Sequence, residues 1–172
     1  MSLVHAGKFL RVDLTDGHWR EERIADETVR NYLLGSGLAA KLYYDEIDPA
    51  IAPLDPDNPL YVFNGLLTGT FSPTGCRSTW CGRSPLTGIW GESNTGGFFG
   101  PELRFAGYDG IVVTGQSERP VWLSIVDGQA QLCDASDLWG SDSYATQERV
   151  REAMGKPKAR VACIGQAGEN VI

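Results

Sequence analysis

No apolar run in these 172 residues approaches the roughly 20 that a membrane-spanning helix requires, so a bilayer span is not expected. Histidine is scarce, with only His5 and His18, which argues against a His-based metal site or a Ser-His-Asp triad confined to this chain. Basic residues are outnumbered, 15 Lys and Arg against 22 Asp and Glu. The net charge of −7 therefore speaks against a nucleic-acid partner, whose phosphates call for a basic patch. The four cysteines, Cys76, Cys81, Cys133 and Cys163, are spaced as no metal or redox motif. Reduced and mostly buried thiols are expected, because a free cysteine behaves as a small apolar residue. Neither a phosphate-loop lysine motif nor a G-x-S-x-G nucleophile elbow occurs. The opening Met1-Ser2-Leu3-Val4-His5-Ala6-Gly7-Lys8 has no basic start followed by an apolar core, so export is not predicted and the cytoplasm is the expected location.

What is present is a globular composition, 42% apolar with five tryptophans, at a length that suits one well-packed domain over residues 1–172. Leu10, Val12 and Leu14 alternate with Arg11 and Asp13, and Asp16-Gly17 offers a tight turn into a polar run over 19–24, which predicts a β-hairpin. Asp26 is placed to cap a short helix carrying Val29, Tyr32 and Leu33, with Gly35 to end it. A second helix is predicted over 38–47. Pro49, Pro53, Pro56 and Pro59 then predict an extended connection into a buried strand over 60–63. Further strands are predicted at 78–81 and 89–92 around the turn Ser84-Pro85-Leu86-Thr87-Gly88, a helix from Pro101 to Ala106, and a strand at 111–114. A second hairpin over 121–133 turns at Asp127-Gly128 and precedes a helix over 144–154 and a last strand at 160–164.

Hairpin, Asp-Gly turn and helix thus occur in the same order twice, at 8–34 and 121–154, as an internal duplication would produce. The fold class expected is α+β, with mixed or antiparallel sheets and short helices. Gly35-Ser36-Gly37-Leu38-Ala39-Ala40 matches the letters of a dinucleotide fingerprint, but a helical pattern rather than a strand precedes it, and it reads as a break between two helices.

Functional chemistry concentrates elsewhere. Between residues 65 and 100 the only charged side chains are Arg77, Arg83 and Glu92, and 12 of the 21 glycines fall between residues 65 and 115. Such glycines either make tight turns in an antiparallel sheet or let a ligand approach the backbone. Thr68-Gly69-Thr70, Pro73-Thr74-Gly75-Cys76-Arg77 and Ser93-Asn94-Thr95-Gly96-Gly97-Phe98-Phe99-Gly100 combine freed amides with hydroxyl and amide side chains, suited to a polyoxygenated or phosphorylated ligand. An arginine with few charged neighbours would supply a cationic fork for an anionic group. The alternative is that Arg77 pairs with a carboxylate elsewhere and Asn94 occupies a left-handed turn.

The ordered segments Gly69-Thr70, Pro73-Thr74-Gly75-x-Arg77, Ser84-Pro85-Leu86-Thr87-Gly88, Asn94-x-Gly96-Gly97-x-Phe99-Gly100, Glu102-Leu103-x-Phe105-Ala106-Gly107-Tyr108-Asp109 and Ile164-Gly165-x-Ala167-Gly168-Glu169-Asn170 follow a strand reading Phe9-Leu10-Arg11-Val12-Asp13-Leu14-Thr15. Together they resemble the N-terminal domain of the tungsten-containing aldehyde ferredoxin oxidoreductases over nearly the whole chain. The resemblance implies a base for a tungsten or molybdenum bis-pyranopterin, built from duplicated α+β units. It implies that Arg77 contacts the pterin between it and a [4Fe-4S] cluster. Asn94 would bind the pterin and help hold, through its carbonyl, a magnesium ion between two phosphates. Gly96 would be a further pterin contact.

Members of that family run to several hundred residues, so the resemblance further implies that the second pterin loop, the cluster cysteines and the acid-base residues lie outside this sequence. No catalytic residue is assigned within it, and its cysteines do not match the cluster ligands. A fragment, or a subunit completed by another polypeptide, is the expectation. The implied parent oxidises an aldehyde to a carboxylic acid with electrons passing to ferredoxin, and a homodimer is an expected assembly. The alternatives are a non-catalytic binding or assembly module on the same scaffold, or a relative acting on aromatic thioesters.

Overall fold

The computed structural model describes residues 5–171, so residues 1–4, part of the stretch considered above for export, lie outside it. These residues form two compact units, Met1–Ser117 and Glu118–Ile172.

In the first unit the hairpin forms as expected, with β1 (Lys8–Asp13) antiparallel to β2 (His18–Arg23). Two helices follow, α1 (Asp26–Tyr32) and α2 (Ser36–Glu46). Asp26 does not cap α1. Ala25 takes the N-cap in extended conformation, and the Asp26 carboxylate sits in the first turn, where the positive end of the helix dipole favours it. Nor does Gly35 end α1: Leu33 does, at φ 59°, and Gly35 at φ 68° begins α2. The fingerprint-like letters are therefore a helix-to-helix break. A Cβ on Gly37 would lie 2.1 Å from the Tyr32 carbonyl oxygen, so close approach of the two helices explains that glycine.

The proline-rich connection is not extended. Amide bonds from Ile51 to Asp48, Asp55 to Ala52 and Asn58 to Asp55 fold it into successive turns, which prolines tolerate because each donor is a non-proline residue. Then come β3 (Leu60–Asn64), β4 (Ser78–Arg83), β5 (Trp90–Thr95), α3 (Phe99–Phe105) and β6 (Gly110–Thr114). The strands assemble into one six-stranded mixed sheet in the order β2-β1-β6-β3-β4-β5, with β1 and β6 parallel and the other neighbours antiparallel.

The pleat divides the core. Phe9, Tyr61, Phe63, Cys81 and Val112 pack with Val29, Leu34, Leu38 and Ala39 of the α1–α2 region. Tyr43, Tyr61 and Trp90 pack ring on ring with centroids 5.3–6.3 Å apart. On the opposite face α3 lies against the sheet, where Asn64 Nδ2 donates to the Gly100 carbonyl at 2.9 Å and Trp80 meets Phe99. Burying several such side chains, at about 1.5–3 kcal/mol each, is what holds these layers. β5 closes one edge of the sheet, its outer half exposed.

In the second unit β7 (Val121–Val126) and β8 (Gln129–Asp134) form a separate two-stranded sheet. Asp127 and Gly128 both have positive φ, 49° and 82°, as a two-residue hairpin turn demands. α4 (Ser143–Ala153) is capped by the Asp142 carboxylate, which accepts from the Tyr144 and Ala145 amides. The order hairpin then helix does recur in the two units. The strand expected at 160–164 does not form. A strand exists only through pairing, and no described strand pairs with this apolar stretch. α5 (Gly165–Glu169) follows, tied to Gly140 by Glu169 Oε2 and Gln166 Nε2, each at 2.9 Å.

Candidate functional site

The β4–β5 ladder sets Thr79 opposite Asn94 and Ser78 opposite Thr95. The ladder ends at that pair, and Arg77 and Gly96 lie just past it at the open end of the hairpin. As directly opposed residues, Thr79 and Asn94 share one face of the hairpin, whereas a Cβ on Gly96 would face Cys76 Sγ. The Thr79 hydroxyl donates to Asn94 Oδ1 at 3.2 Å, which confirms the shared face, and Asn94 Nδ2 donates to Glu92 Oε1 at 3.2 Å. The three residues singled out in the sequence thus flank the last pair of this hairpin, Ser78 and Thr95.

Arg77 is exposed, and among the described residues its guanidinium makes no ion pair or hydrogen bond. The alternative of an internal carboxylate partner is overturned. Its main chain, by contrast, is fixed: the Arg77 carbonyl accepts from the Gly65 amide at 3.1 Å and from Thr68 Oγ1 at 2.5 Å. Asn94 lies in β5 without a positive φ, so the left-handed turn is overturned too. Gly97, at φ 79°, takes that role. A Cβ on Gly96 would meet only Cys76 Sγ, at 3.8 Å, so nothing inside the fold requires glycine there.

Thr79, which carries no motif signal, joins the site through its pairing with Asn94 across the ladder. The cysteines are free, as expected, but only Cys81 is buried, while Cys76 and Cys133 are half-buried and Cys163 is exposed. Burial, reinforced by Glu92, pushes the Cys81 thiol up to about 12. Among the described residues no three His, Cys, Asp or Glu side chains gather as metal ligands. An open groove of about 310 Å³ lies along Pro53, Asn58, Leu60, Val113 and Gln116 and includes none of the site residues.

An unpaired cation, an amide side chain and two glycines near one open strand end form a set suited to a large anionic, heteroatom-rich ligand, and the Thr79 hydroxyl, already donated to Asn94 Oδ1, orients that amide. The absence of Cβ atoms at Gly96 and Gly97 leaves room for it near the backbone.

Residues 9–172 match the family described as "Aldehyde ferredoxin oxidoreductase, N-terminal domain". The chain is 43% identical over 166 residues to a tungsten-containing aldehyde ferredoxin oxidoreductase of Pyrococcus furiosus, covering 96% of this chain and 27% of the relative. It is 44% identical, with the same coverage, to the protein of that name from Thermococcus kodakarensis. An aliphatic sulfonate oxidoreductase, WOR-like subunit, of Pyrococcus furiosus is 31% identical over 181 residues, 96% of this chain and 29% of that protein. Among solved structures, the active site complex BamBC of benzoyl coenzyme A reductase with 1,5 dienoyl-CoA superposes with a TM-score of 0.96 at 37% identity, over 99% of this chain and 26% of that one. The chain therefore spans about a quarter of the length of the relatives it matches.

Proposed function

This chain belongs to the aldehyde ferredoxin oxidoreductase N-terminal domain family, and from that premise we propose that residues 1–172 act as one domain binding a tungsten or molybdenum bis-pyranopterin. Arg77 meets an anionic part of the pterin, Asn94 binds it and offers its carbonyl to a magnesium ion, and Gly96 lets the backbone approach. Bound there, the metal and its pterins supply two-electron redox chemistry, which in an aldehyde oxidation takes oxygen from water and yields a carboxylic acid, two protons and two electrons. The protein side of that work, on these residues, is binding, orientation and charge neutralisation. A [4Fe-4S] cluster, held by residues outside this chain, would supply the electron relay to ferredoxin in a cytoplasmic, homodimeric enzyme.

One observation carries the reading: among the described residues the Arg77 guanidinium has no partner, although its backbone is fixed at the open end of the hairpin that carries Asn94. Burying an anion against it would gain charge-assisted hydrogen bonds that the fold itself does not use. The test is metal analysis of the holoenzyme containing this chain, expressed with tungsten and molybdenum supplied. One metal per site, lowered by Arg77→Ala, is expected. Absence of both metals would leave a non-catalytic assembly module as the reading.

A second substrate class has its own support. The similar BamBC structure is named for benzoyl coenzyme A reduction and holds a dienoyl-CoA, and another relative is named for aliphatic sulfonates. Proteins named for three different substrates match this chain over nearly its whole length, which supports placing substrate choice mainly outside it. Assay of the holoenzyme against an aldehyde and an aromatic CoA thioester separates the two readings.

A further inference from the structure

The Arg77 side chain is free, so whatever aims it must act through the backbone. Its carbonyl is bonded to the Gly65 amide and to Thr68 Oγ1, and the Thr68 amide donates in turn to the Gly65 carbonyl at 3.0 Å. That same Gly65 carbonyl accepts from Arg104 Nη2 at 3.0 Å, and Arg104 Nη1 donates to the Leu66 carbonyl at 3.3 Å. The Arg104 stem runs beneath Gly69, where an added Cβ would stand 3.3 Å from its Cβ and Cγ.

Arg104 is held from behind. Its Nε lies 3.0 Å from Asp109 Oδ1, with side chains 9% and 0% exposed. Asp109 is immobilised on all sides: its carboxylate accepts from the Ala6 amide at 3.0 Å and the Gly7 amide at 2.7 Å, and lies 3.3 Å from His5 Nδ1. Its own amide bonds Lys8 and its carbonyl bonds Asn64, both at 2.8 Å. Hydrogen bonds, with the Arg104–Asp109 ion pair as one link, thus run from the start of β1, through Asp109 and Arg104, to the backbone of Arg77.

We propose that Arg104, locked by Asp109, is a positioning residue that sets the 65–77 loop so that Arg77 presents its guanidinium to the anionic cofactor. This rests on the reading of Arg77 as a cofactor contact. A planar guanidinium can hold two adjacent carbonyls while facing a carboxylate, which the single ammonium of lysine cannot do. Arg104→Lys keeps a cation beside Asp109 and releases the fork, so it separates aiming from mere fold stability.

The experiment uses the holoenzyme containing this chain, as Arg77→Ala, Arg104→Lys and the double variant. Tungsten and molybdenum retained per folded protein are measured after timed gel filtration, and amide exchange is followed in the cofactor-depleted form. Arg104→Lys is expected to keep a single cooperative thermal transition, lowered by the lost carbonyl bonds, to lose metal roughly tenfold faster per folded molecule, and to exchange faster across 65–77 but not in β1 or β6. In the Arg77→Ala background it should add nothing, because it acts through Arg77. Retention equal to the parent in Arg104→Lys, or effects that multiply in the double variant, would overturn the proposal while leaving the Arg77 reading intact. Unchanged retention in Arg77→Ala would instead overturn that reading, and the proposal with it. Should Arg104→Lys fail to fold, Thr68→Val removes one donor to the Arg77 carbonyl without touching the ion pair, and a smaller shift in the same direction is expected, parental retention counting against the proposal.

Discussion

Two arginines bracket β4, and the fold treats them in opposite ways. Arg83, its last residue, donates from Nε to the Gly88 carbonyl at 2.8 Å and from Nη1 to the carbonyls of Pro49, at 2.9 Å, and Ile51. It pins the Ser84–Gly88 turn and the proline-rich connection to the sheet. Arg77, just before the strand, gives its carbonyl to the fold and withholds its guanidinium. In a stretch so poor in charge, a spent arginine and an unspent one look alike in sequence. Only the list of acceptors in reach tells a clamp from a binding group.

Substitutions can break that contrast. Arg83→Ala should cost on the order of 2–3 kcal/mol, read by denaturant unfolding, with metal content per folded molecule unchanged. Loss of metal without loss of stability would reverse the assignment of the two arginines. Gly96→Val should abolish most metal loading while leaving the unfolding midpoint near that of the parent, since the fold has room for the side chain and the ligand would not. Arg77→Ala should reduce metal retention roughly tenfold, with stability changed by no more than about 0.5 kcal/mol.

A pH titration sharpens the comparison from the core side. The Cys81 thiol, two residues along β4 from Thr79, is raised from 9.0 to about 12 by burial and then Glu92. Tyr108 is raised from 10.0 to about 12 by burial and then by its hydrogen bond to Glu21. Both raised values favour the folded state below about pH 9, and that contribution is lost as pH climbs toward 12. Unfolding free energy should therefore fall across that interval. The smallest effect expected is kinetic: an alkylating reagent at neutral pH should modify exposed Cys163 first and Cys81 last, followed by peptide mass spectrometry.

Much of this was legible in the chain. Alternation around Asp16-Gly17 and Asp127-Gly128 located both hairpins, although only the second is the two-residue turn; the first spans residues 14–17, with Gly17 alone at positive φ. The isolation of Arg77 among uncharged residues marked it before any geometry was known. What could not be read depends on partners distant in sequence. Residues 160–164 have the composition of a strand and no neighbour to pair with. Gly96 and Gly97 are indistinguishable as letters, yet only Gly97 needs a positive φ. Asp109 closes the Glu102-Leu103-x-Phe105-Ala106-Gly107-Tyr108-Asp109 segment and Arg104 is its unspecified position; the work of both is visible only once Gly65 and Leu66 lie over α3.

The parallel pairing of β1 with β6 has a consequence for synthesis. β1 sits inside the sheet, yet one of its two partners is complete only at Thr114, about 100 residues after β1 itself. At a ribosomal rate of about 5–20 residues per second, the nascent hairpin waits on the order of 5–20 s with one edge unpaired. Leu10 and Val12, fully covered in the finished protein, spend that interval without β6 beside them. The Asp109 carboxylate, arriving just ahead of β6, closes onto the amides of Ala6 and Gly7 and so latches the first-made strand to one of the last-made strands of its sheet.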